Sequence, residues 1–202
     1  MKSIGWKGRL LQGLATGLVS GVVWAGMMIQ GAEAVRFSDG TVAFAGLPQL
    51  LRVSTSDNSA WAWGATYSFT LSVPQDASEP LGRVQLQQKE GVDTVSFNVK
   101  RTSAYLNGDR GQKIALGSVE GGKDGELTVD FATPIAPGNT VTLELRPYNN
   151  PDTGGVYLFG VTVFPEGEVV RSQFIGFGRL QFYDRSILRH GLWHHPWGGW
   201  WR

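Results

Sequence analysis

Tyr67-Ser68-Phe69-Thr70-Leu71-Ser72-Val73 is the stretch that decides the fold. Its odd positions are apolar and its even positions carry hydroxyls. In an extended chain successive side chains point to opposite faces, so this pattern buries one face and wets the other. The alternation recurs in Val95, Phe97 and Val99 against Thr94, Ser96 and Asn98, in Leu127, Val129 and Phe131, and in Val141, Leu143 and Leu145. Val84 and Leu86 repeat it more briefly. Turn formers separate the runs: Asn107-Gly108-Asp109, Lys123-Asp124-Gly125 and Pro137-Gly138-Asn139. Half-buried strands at this spacing predict an all-β chain, an antiparallel β-sandwich of immunoglobulin-like or related type with about seven to nine strands.

Two later runs break the simple pattern. Residues 156–164 are apolar on both parities, which predicts a central strand covered on both faces. Residues 174–183 also mix faces, and Gly176 and Gly178 fall on one side, two apart. Missing side chains there predict the close approach of another backbone or ring, or a bulge. No stretch before Asp184 has helical periodicity. Ile187, Leu188 and Leu192 would line a short final helix that Pro196 ends.

Composition agrees with strands and turns. Of 202 residues, 42% are apolar, enough for a core, while only 17% are charged and 28 are glycine. No cysteine is present, which excludes disulfides, thiolate metal centres and thiol nucleophiles. Residues 35–184 hold 12 basic and 16 acidic side chains, a net of −4, whereas Arg185, Arg189 and Arg202 stand alone in the last 18 residues at +3. This distribution gives no broad basic footprint and predicts no nucleic-acid partner.

The N-terminus has the order of an export signal. Lys2, Lys7 and Arg9 precede an uncharged apolar run from Leu10 to Ile29, followed by Ala32-Glu33-Ala34. Small residues in this A-x-A spacing predict cleavage after Ala34. The alternative is an uncleaved membrane anchor, which Gln12, Gly13, Thr16, Gly17 and Ser20 weaken. The expected organisation is a signal peptide at 1–34, a β-sandwich domain at 35–184, and a Trp/His/Arg-rich tail at 185–202. The destination is periplasm, thylakoid lumen or cell exterior.

Six blocks in order carry a resemblance: residues 37–42 (FSDGTV), 63–67 (WGATY), 87–93 (QQKEGVD), 145–147 (LRP), 154–161 (GGVYLFGV) and 176–183 (GFGRLQFY). Together they resemble a family of secreted cyanobacterial proteins of unknown function, over about residues 37–183. The resemblance implies an exported β-rich domain and no established activity. The tail lies outside it.

Candidate chemistry is sparse. His190 and His194 are four apart, one helical face, and with His195 would chelate Zn²⁺ or Cu²⁺ through imidazole. An exposed tail with adventitious binding is the alternative, since no carboxylate is nearby to support the imidazoles. Trp193, Trp197, Trp200 and Trp201 with tail arginines suit a membrane–water interface. They would equally suit packing back on the domain or against a partner. Trp61 and Trp63 flank Ala62 and would share a strand face fit to stack on sugars; their place near a strand start suits core packing equally, and the family-like block makes Trp63 a structural residue. The loop Tyr148-Asn149-Asn150-Pro151-Asp152 gathers oxygens that would hold Ca²⁺, or simply turns the chain. Glu90 with Asp93, or Asp39 with Asp57, would have to meet in space for acid–base work.

The sequence therefore points first to an exported non-enzymatic binding module without cofactor, its partner a protein, glycan or membrane surface of the cell envelope. Second is an envelope-associated protein whose tail binds metal or membrane. Last is a hydrolase with carboxylates drawn from separate strands.

Overall fold

A computed structural model describes residues 35–36 and 40–184. The expected signal peptide at 1–34 and the expected final helix in the tail lie outside the described residues. Twelve strands follow in order: β1 (Val35–Arg36), β2 (Val42–Ala43), β3 (Gln49–Thr55), β4 (Tyr67–Ser72), β5 (Leu81–Glu90), β6 (Ser103–Leu106), β7 (Lys113–Ile114), β8 (Leu116–Gly121), β9 (Glu126–Ile135), β10 (Thr140–Leu145), β11 (Gly155–Pro165) and β12 (Gln173–Phe182). One sheet runs β3-β4-β10-β6-β7 and the other β12-β11-β5-β9-β8, with every pairing between these strands antiparallel. This is the antiparallel β-sandwich that the alternation predicts. Asn107-Gly108 and Asp124-Gly125 take positive φ at both residues, the backbone that lets right-twisted strands turn tightly.

The inward residues are those the period of two selects. Tyr67, Phe69 and Leu71 of β4 and Val141, Leu143 and Leu145 of β10 are fully buried. Facing them are Tyr157, Phe159, Val161 and Val163 of β11, Val84 and Leu86 of β5, and Leu127 and Val129 of β9. Leu180 and Phe182 of β12 are buried as well. Phe159 is the hub. Its ring meets Phe69 at 6.0 Å, Tyr67 at 6.2 Å and Phe97 at 6.0 Å between centroids, mostly in tilted or edge-on geometry. Such geometry sets the positive edge of one ring against the negative face of another.

The paired glycines do both things expected of them. A Cβ on Gly178 would lie 2.7 Å from Val53 and 2.8 Å from the Phe69 ring, so the opposite sheet closes onto bare backbone. Ile175 has no partner between Val161↔Gly176 and Thr162↔Phe174, and Gly176 adopts φ +126° at this bulge.

Three expectations need correction. Residues 94–98 are not a ladder strand, although Val95 and Phe97 are buried. Phe97 forms a single bridge with Pro147, closed by the Asn98 N–H on Arg146 O at 2.8 Å and the Tyr148 N–H on Ser96 O at 3.0 Å. The Val95 N–H donates instead to the Gln88 side chain at 2.8 Å. Second, β11 is flanked by β12 and β5, but only one face is covered by another layer. On its outer side Val156 is exposed, while the Arg83 guanidinium lies 5.6 Å from the Phe164 ring centre and the Phe174 ring sits over Gly160. Third, the two sheets hold ten strands, above the expected range. Short β6 and β7, and β3 with its irregularity at Leu51, do not carry a clean alternation.

Truncating the hub should show its weight. Phe159→Ala is expected to cost about 3–5 kcal/mol through lost transfer free energy and a cavity. Chemical denaturation measures it, and an unchanged midpoint and slope would place Phe159 outside the core.

Candidate functional site

The loops at one end of the sandwich collect the described residues that sequence singled out. Strands β3, β5, β10 and β12 finish there, and β4 and β11 begin there. The connecting loops are 56–66, 91–98 and 146–154, joined by Tyr183 and Asp184. They are laced together by main-chain bonds: Ala60 N–H to Tyr183 O at 2.9 Å, Trp61 N–H to Pro151 O at 3.0 Å, Asn150 N–H to Ala62 O at 2.9 Å and Tyr183 N–H to Asn58 O at 2.8 Å.

Asn150 is the centre of this lacing. It is fully buried. The Tyr67 hydroxyl donates to its Oδ1 at 2.9 Å, and its amide donates to the carbonyls of Asp57 at 2.9 Å and Ser59 at 2.8 Å. A buried amide must satisfy its donors and acceptor, and here one residue ties three segments distant in sequence. Burial, and then the neighbouring Tyr157, push the Tyr67 phenol far above the ordinary tyrosine range, so it acts only as a neutral donor.

A second tie lies beside it. Asp93 accepts the Thr153 N–H at 2.7 Å, and the Tyr157 hydroxyl lies 3.2 Å from the same oxygen while donating to Thr153 O at 2.9 Å. The Thr153 N–H first, with the Thr153 side chain adding to it, holds the Asp93 carboxyl below the usual carboxylate range despite some desolvation. Gly91, at φ +141°, leaves room for the Tyr157 ring that a side chain would occupy.

What this lacing presents is aromatic. Trp61 is 63% exposed, Trp63 85%, Tyr148 62% and Tyr183 53%. Trp61 sits at φ +63° in a turn closed by the Ala62 N–H on Ser59 O at 3.3 Å. The left-handed region is unfavourable for a bulky residue, so its neighbours must hold it there. The strand platform expected of Trp61 and Trp63 is thus absent: the two belong to a turn and a bend between β3 and β4. Trp63 is not the structural residue its block suggests, because its ring faces water. Tyr183 was legible as outward from its place after buried Phe182, yet sequence reading passed it over.

The calcium reading of 148–152 fails on Asn150, whose amide is consumed inside the domain. Asn149 donates to Asn150 O at 2.8 Å and to Asp152 Oδ1 at 3.3 Å, so these two side chains serve each other. Among the described residues no grouping of three or more carboxylate or imidazole side chains could hold a metal. Asp93 is committed to Thr153 and is no acid–base partner for Glu90; Asp39 lies outside the described residues. So do His190, His194 and His195, the candidate Zn²⁺ or Cu²⁺ ligands, and Trp193, Trp197, Trp200 and Trp201. The described site offers rings and hydrogen-bonding loops, a chemistry of binding.

Residues 41–182 match the family described as protein of unknown function (DUF2808), and the chain belongs to that family. No curated protein matches it. Similar solved structures include BslA, a bacterial hydrophobin, at 14% identity and TM-score 0.42, covering 69% of this chain and 96% of that one. The collagen-binding subdomain of Enterococcus faecalis surface protein ACE is similar at 8% identity and TM-score 0.38, covering 64% and 94%. A structure described as manganese lipoxygenase of Gaeumannomyces graminis with partial zonadhesin of Komagataella pastoris gives 13% identity and TM-score 0.43 over 67% of this chain; the chain spans 48% of that one. Likeness at this level says nothing about ligand or activity.

Two substitutions test the lacing. Asn150→Ala leaves the Tyr67 hydroxyl and two carbonyls unpaired and should cost on the order of 2–4 kcal/mol in denaturant unfolding; a loss within error would mean that water replaces the amide. Because the folded pKa of Asp93 is depressed, its contribution is full above the unfolded value of about 3.9 and disappears as pH falls through the folded value. Asp93→Asn should therefore flatten the acid limb of the stability–pH curve, and superimposable limbs would count against this tie.

Proposed function

We propose that this chain is an exported, non-enzymatic binding module whose ligand surface is the aromatic end of the sandwich. The observation that carries it is the exposure of Trp61, Trp63, Tyr148 and Tyr183 on loops held together by Asn150. Exposed indoles are unfavourable in water, and nothing in the packing requires them where they are. Rings on a pre-organised frame are the usual anchors of recognition, since little entropy is lost when they are covered. Lys2, Lys7 and Arg9, the apolar run to Ile29 and Ala32-Glu33-Ala34 support export and cleavage after Ala34, to periplasm, thylakoid lumen or cell exterior. The partner is then a glycan, protein or membrane surface of the envelope. Asp184 lies at the same end, its carboxylate accepting the Gly154 N–H at 2.9 Å.

The test takes the protein from the exported fraction, where its first residue should be Val35, and mixes it with isolated envelope material. Trp61→Ala/Trp63→Ala/Tyr148→Ala should lower co-sedimentation at least ten-fold while the thermal midpoint stays within a few degrees of wild type. Undiminished co-sedimentation by the folded triple variant would remove the aromatic end from the binding surface.

A further inference from the structure

The outer face of the β3-β4-β10-β6-β7 sheet carries a second surface, distinct from the aromatic end. The pairing registers align its outward side chains into cross-strand rows. Arg52, Thr70, Thr142, Tyr105 and Lys113 stand opposite one another in turn, one from each strand. Four inter-strand steps of about 4.8 Å make this row about 19 Å long. A parallel row runs Ser54, Ser68, Glu144, Ser103. The hydroxyls of Thr70 and Thr142 lie 3.1 Å apart.

Over these rows lies an open trench of about 400 Å³. The β6–β7 turn closes one side and brings Arg110 across the sheet, where its Nε and Nη2 donate to Glu144 Oε1 at 3.1 and 2.6 Å. Glu144 is 9% exposed, the one buried carboxylate of the described residues, and it pins Arg110 above the rows. Arg52 lines the trench and Lys113 ends the same cross-strand row beyond it, and neither has a carboxylate partner among the described residues. The trench lining carries two cations, Arg52 and Arg110, and one anion, Glu144, with Lys113 further along the row, on a segment whose net charge over 35–184 is −4. Local positive charge on a negative domain is a placed feature, not a reflection of composition.

We infer that this sheet face binds an acidic polysaccharide, with its carboxylate or sulfate groups on Arg52 in the trench and on Lys113 at the far end of the same row, and its hydroxyls on the Ser/Thr rows. Hydroxyl side chains donate and accept at once, as sugar hydroxyls do. Arginine takes a carboxylate or sulfate through parallel N–H donors, and Arg110 is already oriented by Glu144. A peptide would need apolar pockets, and no aliphatic side chain lines the trench. A nucleic-acid strand would need several rings for stacking, and Tyr105 is the single aromatic lining it.

The experiment measures binding of the full chain to polygalacturonate, dextran sulfate and neutral dextran by calorimetry at two ionic strengths. At least one acidic polymer should bind ten-fold or more tightly than dextran, and the better of the two identifies the anionic group. Affinity should fall as salt rises, because these charges face solvent. Arg52→Ala/Lys113→Ala should weaken acidic binding at least ten-fold without lowering the thermal midpoint, since both side chains point outward. Lys100→Ala/Arg101→Ala removes the same charge elsewhere and should leave binding intact, as should the aromatic triple variant. The inference is overturned if dextran binds as well as the acidic polymers or if Arg52→Ala/Lys113→Ala binds like wild type. An equal loss from Lys100→Ala/Arg101→Ala, which would reduce the effect to bulk charge, overturns it too.

Discussion

The ring of Phe159 stands between the two sheets, and the rest of the domain is arranged around it. Tyr67 and Phe69 reach it from the opposite sheet, and Phe97 closes over it from a loop. These rings occupy a layer that must be filled at close to crystalline density, because a void in a core costs both transfer energy and contacts. That requirement explains Gly178: where the edge of one sheet meets Val53 and Phe69 of the other, no side chain fits. It also explains why residues 94–98 stay extended without a ladder. Val95 and Phe97 are needed as filling, and their backbone is satisfied by Gln88, Arg146 and Tyr148 instead.

From the same core the order passes outward to the loops. Tyr67 has its ring against Phe159 and its hydroxyl on Asn150, so one side chain joins apolar packing to the polar lacing. Asn150 carries that order to the backbone of Asp57 and Ser59, and through Ala62 and Pro151 to the turn that holds Trp61. The exposed rings therefore stand on a frame fixed by a buried hydrogen-bond network, not on free loops. A left-handed Trp61 is tolerable only because that frame determines its conformation from both sides.

A sandwich separates stability from recognition strand by strand. In β4 and β10 the odd residues make the core, while Thr70, Thr142 and Glu144 one step away belong to the outer face of the sheet. Outward side chains are free to change without disturbing the packing, and antiparallel pairing sets them in rows that no single strand contains. The aromatic end and the hydroxyl-lined trench use this freedom in two ways, one through loops and one through a sheet face.

The sequence by itself determined which residues face inward. A period of two is local, so Tyr67, Phe69, Leu71, Val141, Leu143 and Leu145 could be assigned to the core without knowing their partners. Gly176 and Gly178 were legible for the same reason, since a missing side chain in an apolar strand must serve an approach or a bulge. Tyr148, Asn149 and Asp152 were legible as a polar loop. Only the tertiary structure decided that Asn150 turns inward, that Trp63 faces solvent, and that residues 94–98 meet the next loop in a single bridge at Phe97. It alone placed Arg52, Thr70, Thr142, Tyr105 and Lys113 in one row. Each of these depends on which strands lie side by side. Pairing joins segments tens of residues apart, and no local period in the chain records it.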